Sequence, residues 1–278
     1  MKKTMLALAL IVIGAVSFQT HADILNIGGM RTNIYSFSNK SFDGAETEIR
    51  SMQTITGISN DGPLNVVYVQ SDRNEVEVQG DKELFNRVKT QWKNGIVHIS
   101  LDAGTYRNLW LQVVVFAPAL NDVKCTGSGN LLADKLHTNT EELDMRVTGS
   151  AKIKITELTC DRNLDINITG SGDVRVQQLT CQMLDANVTG SGDIMVEQGQ
   201  CFNIEAKVSG SGGFKFNNID ANAATLSVLG SGDIRLLDGE IKYLKSRITG
   251  SGSISGKLKY ESSEQKVTGS GSFNITKK

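Results

Sequence analysis

Residues 164–196 read LDINITGSGDVRVQQLTCQMLDANVTGSGDIMV. The stretch holds one unit and most of a second. An alternating run (Leu164, Ile166, Ile168) leads into Gly170-Ser171-Gly172, and a second alternating run (Val174, Val176) leads on to Leu179 and Cys181. The pattern then restarts at Leu184, Ala186 and Val188 before Gly190-Ser191-Gly192. Alternation with period two is the mark of a strand with one buried face. A unit of this size cannot bury its apolar side alone, so copies must stack.

Working outward, Gly-Ser-Gly begins at 127, 170, 190, 210, 230, 250 and 269, and Gly149-Ser150-Ala151 is an eighth, imperfect copy. The starts are 22, 21, 20, 20, 20, 20 and 19 residues apart. The fold class this predicts is all-β: a single-stranded right-handed parallel β-helix, a solenoid of ~20-residue coils with Gly-Ser-Gly corners. Adjacent coils lie about 4.8 Å apart, so equivalent residues form columns. Handedness follows from the right-handed rule for parallel crossovers, and the period does not fit a left-handed hexapeptide repeat. Glycine permits positive φ, and the invariant first Gly is the expected site of it. The third position, Ala151 in one copy, is expected to accept a Cβ. The eight middle serines are expected to hydrogen-bond along their column.

Composition agrees. Of 278 residues, 28 are Gly and 2 are Pro, as many tight corners between paired strands require. With 39% hydrophobic and 21% charged residues the chain is too apolar for disorder. A count of 29 basic against 30 acidic residues gives a net charge of −1 and no basic footprint for nucleic acid. Collagen, coiled coil and polytopic membrane protein are excluded. Lys2 and Lys3, the apolar run Met5–Val16 and the small residues before Asp23 read as a signal peptide over 1–22. No Cys stands near that cut, so a lipid-anchored lipoprotein is not expected, and no later stretch is apolar enough to span a bilayer. The protein is therefore expected to be exported, to periplasm, outer membrane surface or medium.

Residues 23–45 read as a polar leader and 46–276 as the β-helix domain, with irregular N-terminal coils over 46–122 and regular repeats over 123–276. In the first part, alternating segments at 64–70, 75–79, 96–101 and 109–116 flank a short helix over 81–88, capped by Asp81. The order of two strands, this Asp-Lys-Glu-Leu-Phe helix, NGIVHISL (94–101) and LWLQVVVFAPAL (109–120), then the repeated T-G-S-G-D-[IV], resembles a bacterial family. It is the family "putative auto-transporter adhesin, head GIN domain", once a domain of unknown function, and the likeness covers roughly 45–275. The resemblance implies a right-handed β-helix related in shape to pectin-lyase-like folds, and a role in adhesion. The family defines no catalytic residues, so none carries over, and this chain has no translocator segment.

Candidate chemistry is sparse. His98 and His137 sit at outward positions, and nothing pairs them by spacing. Cys160, Cys181 and Cys201 are one repeat apart and are expected to stack inward, while Cys125 joins the column of Val147, Ile168 and Val188. Stacked side chains point in parallel, which suits neither disulfides nor tetrahedral zinc, so buried free thiols are expected. Asp144, Asp165, Asp185 and Glu205 share an outward column and are the candidate ligands for weak Ca²⁺ binding. Asp173 and Asp193 pair beyond the corner. Lys154, Arg175, Lys215 and Arg235 form a basic column interrupted by Met195.

Two function classes fit. One is a non-catalytic exported protein binding a protein, a glycan or another copy through its flat faces. The other is a carbohydrate-active β-helix lyase or hydrolase, since carboxylates one or two rungs apart approach the spacing of glycoside hydrolysis. The even period leaves no corner insertion to wall a cleft, which favours the first: no enzyme, no cofactor.

Overall fold

The computed structural model describes residues 34–37, 40–138 and 140–278; the expected signal peptide lies outside them. Its centre is four long strands, Lys152–Gly170, Asp173–Gly190, Asp193–Gly210 and Gly213–Gly230. Each is one coil of a β-solenoid. Each pairs with the next in parallel, nearly residue for residue. The separate short strands expected from the sequence are thus continuous. The chain bends where two consecutive residues face outward between two that face inward, as Thr156 and Glu157 do between Ile155 and Leu158. Hydrogen bonding survives the bend because the neighbouring coil bends at the same place.

The columns are those the spacing predicts. Cys125, Val147, Ile168, Val188, Val208, Val228 and Ile248 lie in register and are all at most 1% exposed. At the corners, the first glycines take φ between +99° and +123°, a region that a Cβ disfavours. The Gly190 carbonyl accepts the N–H groups of Ser211 and Gly212 from the next coil at 2.9 and 3.0 Å. Two expectations about the corner fail. A Cβ on Gly192 would lie 2.1 Å from the Gly172 oxygen, and one on Gly212 2.2 Å from the Gly192 oxygen. The third position is therefore a close approach of backbones, and the Ala151 copy does not generalise. The serine hydroxyls face solvent, and among the described residues no hydroxyl-to-hydroxyl bond joins them; the backbone N–H ties the column.

Over 46–122 the pairing is mixed. Glu46–Ser51 runs antiparallel to Glu75–Gly80, which runs antiparallel to Leu111–Ala117. Val88–Lys93 and Ile96–Leu101 form an antiparallel pair. Parallel stacking begins where Gly57–Asn60 lies between Ile96–Leu101 and Asp122–Gly127. Asn65–Gln70 likewise lies between Leu111–Ala117 and Leu131–Thr138. These strands cover the first edge of the solenoid, as terminal repeats must. The predicted helix is a 3₁₀ turn, Lys82–Arg87, anchored by buried Phe85. The Asp81 side chain makes no cap bond; its carbonyl accepts Leu84 N–H at 2.9 Å instead. Inside the expected leader, Ile34–Phe37 pairs in parallel with Thr105–Leu109.

The columns turn polar over Ser262–Thr268 in the last coil, whereas Phe273 and Ile275 of Ser272–Lys277 still pack against the core. Gln265 stands in register with buried Ser246, and Val267, next in the Ile248 column, is 42% exposed.

Cys160, Cys181 and Cys201 are in register and all four cysteines are buried and free. Cys181 Sγ donates a hydrogen bond to Cys201 Sγ at 3.3 Å, and no disulfide joins them. Burial pushes the Cys125 thiol up to about 12, and the bond to Cys201 together with burial raises Cys181 as well. Thiolate is the reactive form, so native protein at pH 8 should resist iodoacetamide, whereas unfolded, unreduced protein should label at four sites by mass spectrometry. At the corner, Gly210→Ala should cost roughly 1–3 kcal/mol in backbone strain alone, read from urea unfolding. Ser211→Ala, its exposed neighbour, should leave the curve within error of the parent.

Candidate binding faces

The acidic column is present and one rung longer than expected: Asp122, Asp144, Asp165, Asp185 and Glu205 stand in register on five successive coils. Alternation puts a second outward column two residues further on, made of Lys124, Arg146, Asn167, Asn187 and Lys207. Two members are neutralised within their own strands, Asp144 by Arg146 and Glu205 by Lys207. Of the two carboxylates between them, Asp185 meets an amide and Asp165 meets the carboxyl of Glu142. Asn187 Nδ2 donates to Asp185 Oδ1 at 2.8 Å and to Asn167 Oδ1 at 3.3 Å.

The middle carboxylates therefore stay close to like charges. Burial, then the hydrogen bond and charge of Glu142, then Asp185 and Asp144 push Asp165 up to about 6. Burial likewise raises Asp144, against the pull of Arg146. The calcium candidates Asp144, Asp165, Asp185 and Glu205 form a line, whereas Ca²⁺ collects six to eight oxygens around itself. Among the described residues no group of three or more His, Cys, Asp or Glu is placed to hold a metal ion.

The face beyond the corner carries Lys154, Arg175, Met195, Lys215 and Arg235 in one column. Beside it, Asp173 is in register with Asp193. Lys152 pairs with Asp173 at 3.2 Å and Arg235 with Asp233 at 3.0 Å. Where this face bends into the next, an open depression of about 510 Å³ spans three coils, from Lys154 to Gln198. The sequence reading missed it. Its signal was the doubled outward residues at 156–157, 177–178 and 197–198.

The histidines also have partners that spacing did not reveal. Parallel pairing sets His98 beside Ser59, and His98 Nδ1 lies 3.1 Å from Asp61 Oδ2. Ser59 Oγ and Thr126 Oγ1 both donate to Asp61 Oδ1, at 2.7 and 3.1 Å. Burial opposes the Asp61 charge, but these hydrogen bonds outweigh it and hold the carboxyl below its usual value. The serine bonds to the carboxylate and not to the imidazole, so this is no nucleophile–base arrangement. His137 Nε2 is 3.7 Å from Asp161.

The raised Asp165 has a signed consequence. Between its ordinary value of 3.8 and about 6 the folded chain binds more protons than the unfolded chain. Its contribution to stability is full below the unfolded value and is lost as pH rises through the folded one. Asp165→Asn should therefore raise the thermal midpoint at pH 7.5, with the gain vanishing near pH 4. An equal shift at both pH values would show that charge is not the cause.

The family model described as "Putative auto-transporter adhesin, head GIN domain" matches residues 55–196, 144–257 and 203–278. No curated protein matches the chain. Among solved structures, a protein from Parabacteroides distasonis described as a putative lipid binding protein is 23% identical. The alignment covers 84% of this chain and 97% of that one, with a TM-score of 0.73. A putative adhesin from Parabacteroides merdae is 22% identical over 84% and 96% of the two chains, with a TM-score of 0.71. A putative adhesin from Bacteroides fragilis is 22% identical over 83% and 96%, with a TM-score of 0.60. At these identities the likeness speaks for the fold.

Proposed function

The chain belongs to the family of the putative auto-transporter adhesin head GIN domain, and from that premise we propose that it is an exported, non-catalytic binding protein of the cell envelope. Residues 1–22 are removed as a signal, and residues 46–276 present solenoid faces to a protein, a glycan or another copy. The observation that carries this reading is the parallel register of the coils, kept on both sides of the shift between Cys160 and Asn163. From Asp122 to Gly250 each strand pairs in parallel with its equivalent in the next coil, and among the described residues no corner extends into a loop that could wall a cleft. Catalysis needs a positioned acid, base or nucleophile in a site that limits water. Flat faces supply contact area instead, and eight coils at about 4.8 Å give a face on the order of 35–40 Å long. No helix of the described residues is long and apolar enough to cross a membrane.

One observation favours a second reading, a carbohydrate-active enzyme. Asp165, held up at about 6, stands one rung from Asp185, and a raised carboxyl near a second carboxyl is a usual means of glycoside hydrolysis. Against it, that face is open to water along its whole length.

Two measurements test the proposal. Cell fractionation with protease treatment of intact cells should recover the mature chain in the envelope or medium, and cells lacking the protein should lose binding to a host or sister-cell surface. A panel of acidic and neutral polysaccharides should show no turnover. Turnover that disappears in Asp165→Asn and Asp185→Asn would overturn the non-catalytic reading in favour of the enzyme.

A further inference from the structure

The depression at the second bend owes its shape to the doubled outward residues. Where strands alternate regularly, outward side chains stand parallel and fill the face. At the bend two neighbours splay apart, as Gln177 and Gln178 do between buried Val176 and Leu179. Stacking repeats the splay on three coils and leaves an open space between the basic face and the next. Its volume of about 510 Å³ is within the range of ligand sites.

Its lining has three chemistries in a fixed order. Lys154 and Arg175 stand in register on adjacent coils, and neither has an ion-pair partner among the described residues. The nearby Asp173 is engaged by Lys152. Two cations one rung apart repel, and an anion lying between them would relieve that. On the third coil the column changes to Met195, a half-buried apolar side chain. Across the depression lie the amides of Gln177, Gln178 and Gln198 with the carboxylate of Glu197, which Asn217 Nδ2 holds.

We propose that this depression binds an acidic oligosaccharide, a uronic-acid-type glycan, with its carboxylate between Lys154 and Arg175. The proposal rests on the binding-protein reading above and names the ligand class for one of its faces. A uronic sugar presents a carboxylate, an apolar ring face and hydroxyls, matching the cations, Met195, and the amides with Glu197 in turn. Other anions match less. A simple phosphate would use the cations and leave the rest unengaged. A nucleic acid backbone needs a longer unbroken cationic run, and Glu197 would repel it. A lipid chain would meet only Met195 as a partly exposed apolar side chain, since Ile155 and Val176 of the lining are each 1% exposed.

The test is calorimetric titration of the mature protein with galacturonate, glucuronate and mannuronate oligomers and with their carboxyl-reduced, neutral counterparts. At least one uronate oligomer should bind saturably, more weakly as salt rises, with its neutral form at least about tenfold weaker. Lys154→Gln and Arg175→Gln should each weaken binding about tenfold, with unchanged thermal melting because both side chains are exposed. Lys215→Gln, in the same column but outside the depression, should bind as the parent does. Absence of binding by all three oligomers overturns the proposal. So does equal affinity for acidic and neutral forms, or an equal loss in Lys215→Gln, which would reduce the effect to general charge. If cell-surface binding persists undiminished in Arg175→Gln, the binding-protein reading stands and this ligand assignment falls.

Discussion

The carbonyl oxygen of the first corner glycine holds the stack in register. In each regular coil it points along the solenoid axis and receives the Ser N–H of the next coil, from Ser171 on Gly149 to Ser251 on Gly230, at 2.8–2.9 Å. That direction requires positive φ at the glycine, and the third residue must let the next backbone come close. A corner so constrained fixes where each coil turns. Since the strands are paired throughout, it also fixes which residue lies above which. An added or deleted residue in a coil has to be absorbed at a bend. The 21-residue step shows this: it carries its extra residue between Cys160 and Asn163, where the register shifts. A slip anywhere else would turn the buried side chains outward.

Register has an electrostatic cost. Parallel in-register stacking places like residues on like, so an acid repeated in the sequence becomes a row of acids about 4.8 Å apart. The chain answers with a second row two residues along, opposite in charge at Arg146 and Lys207. Where that row turns to Asn167 and Asn187, the compensation is dipolar and weaker. Asp165 keeps the remaining strain as an affinity for protons. On the basic face the sense is reversed, and the cations Lys154 and Arg175, unpaired among the described residues, are the counterpart of Asp165.

What could be read from the sequence followed from periodicity. The coil length, the inward columns, the cysteine stack and the charged rows each depend only on residues one period apart, and the structure has all of them. The antiparallel strands around Glu75–Gly80 were not legible, because they carry the same alternation as parallel strands and lack a repeat to compare. The Asp61–His98 contact was hidden for a related reason. It joins residues 37 apart through a pairing that sets Ser59 beside His98, outside any regular period. The third corner glycine was misread because one alanine suggested tolerance, whereas crowding there depends on the neighbouring coil's backbone. The depression was missed because it arises between columns, and a column-by-column reading does not register the angle at which two faces meet.

The same reasoning says where binding specificity can reside. Inward positions and corners are set by packing and by backbone approach, and they leave little freedom in residue identity. Outward positions are indifferent to the fold as long as their charges are tolerated, so a column of one chemistry is the least a repeat needs. Departures from column chemistry are then the positions the fold does not explain. Met195 among the cations and Asn167 and Asn187 among the counter-charges are such departures. Met195 and the two asparagines lie on three adjacent coils, 164–208, at the middle of the stack. The end coils seal the core, and the middle coils, with neighbours on both sides, can vary their surfaces without exposing it. A recognition surface on this architecture is therefore best placed where the corner repeat is most regular and the outward columns depart from it.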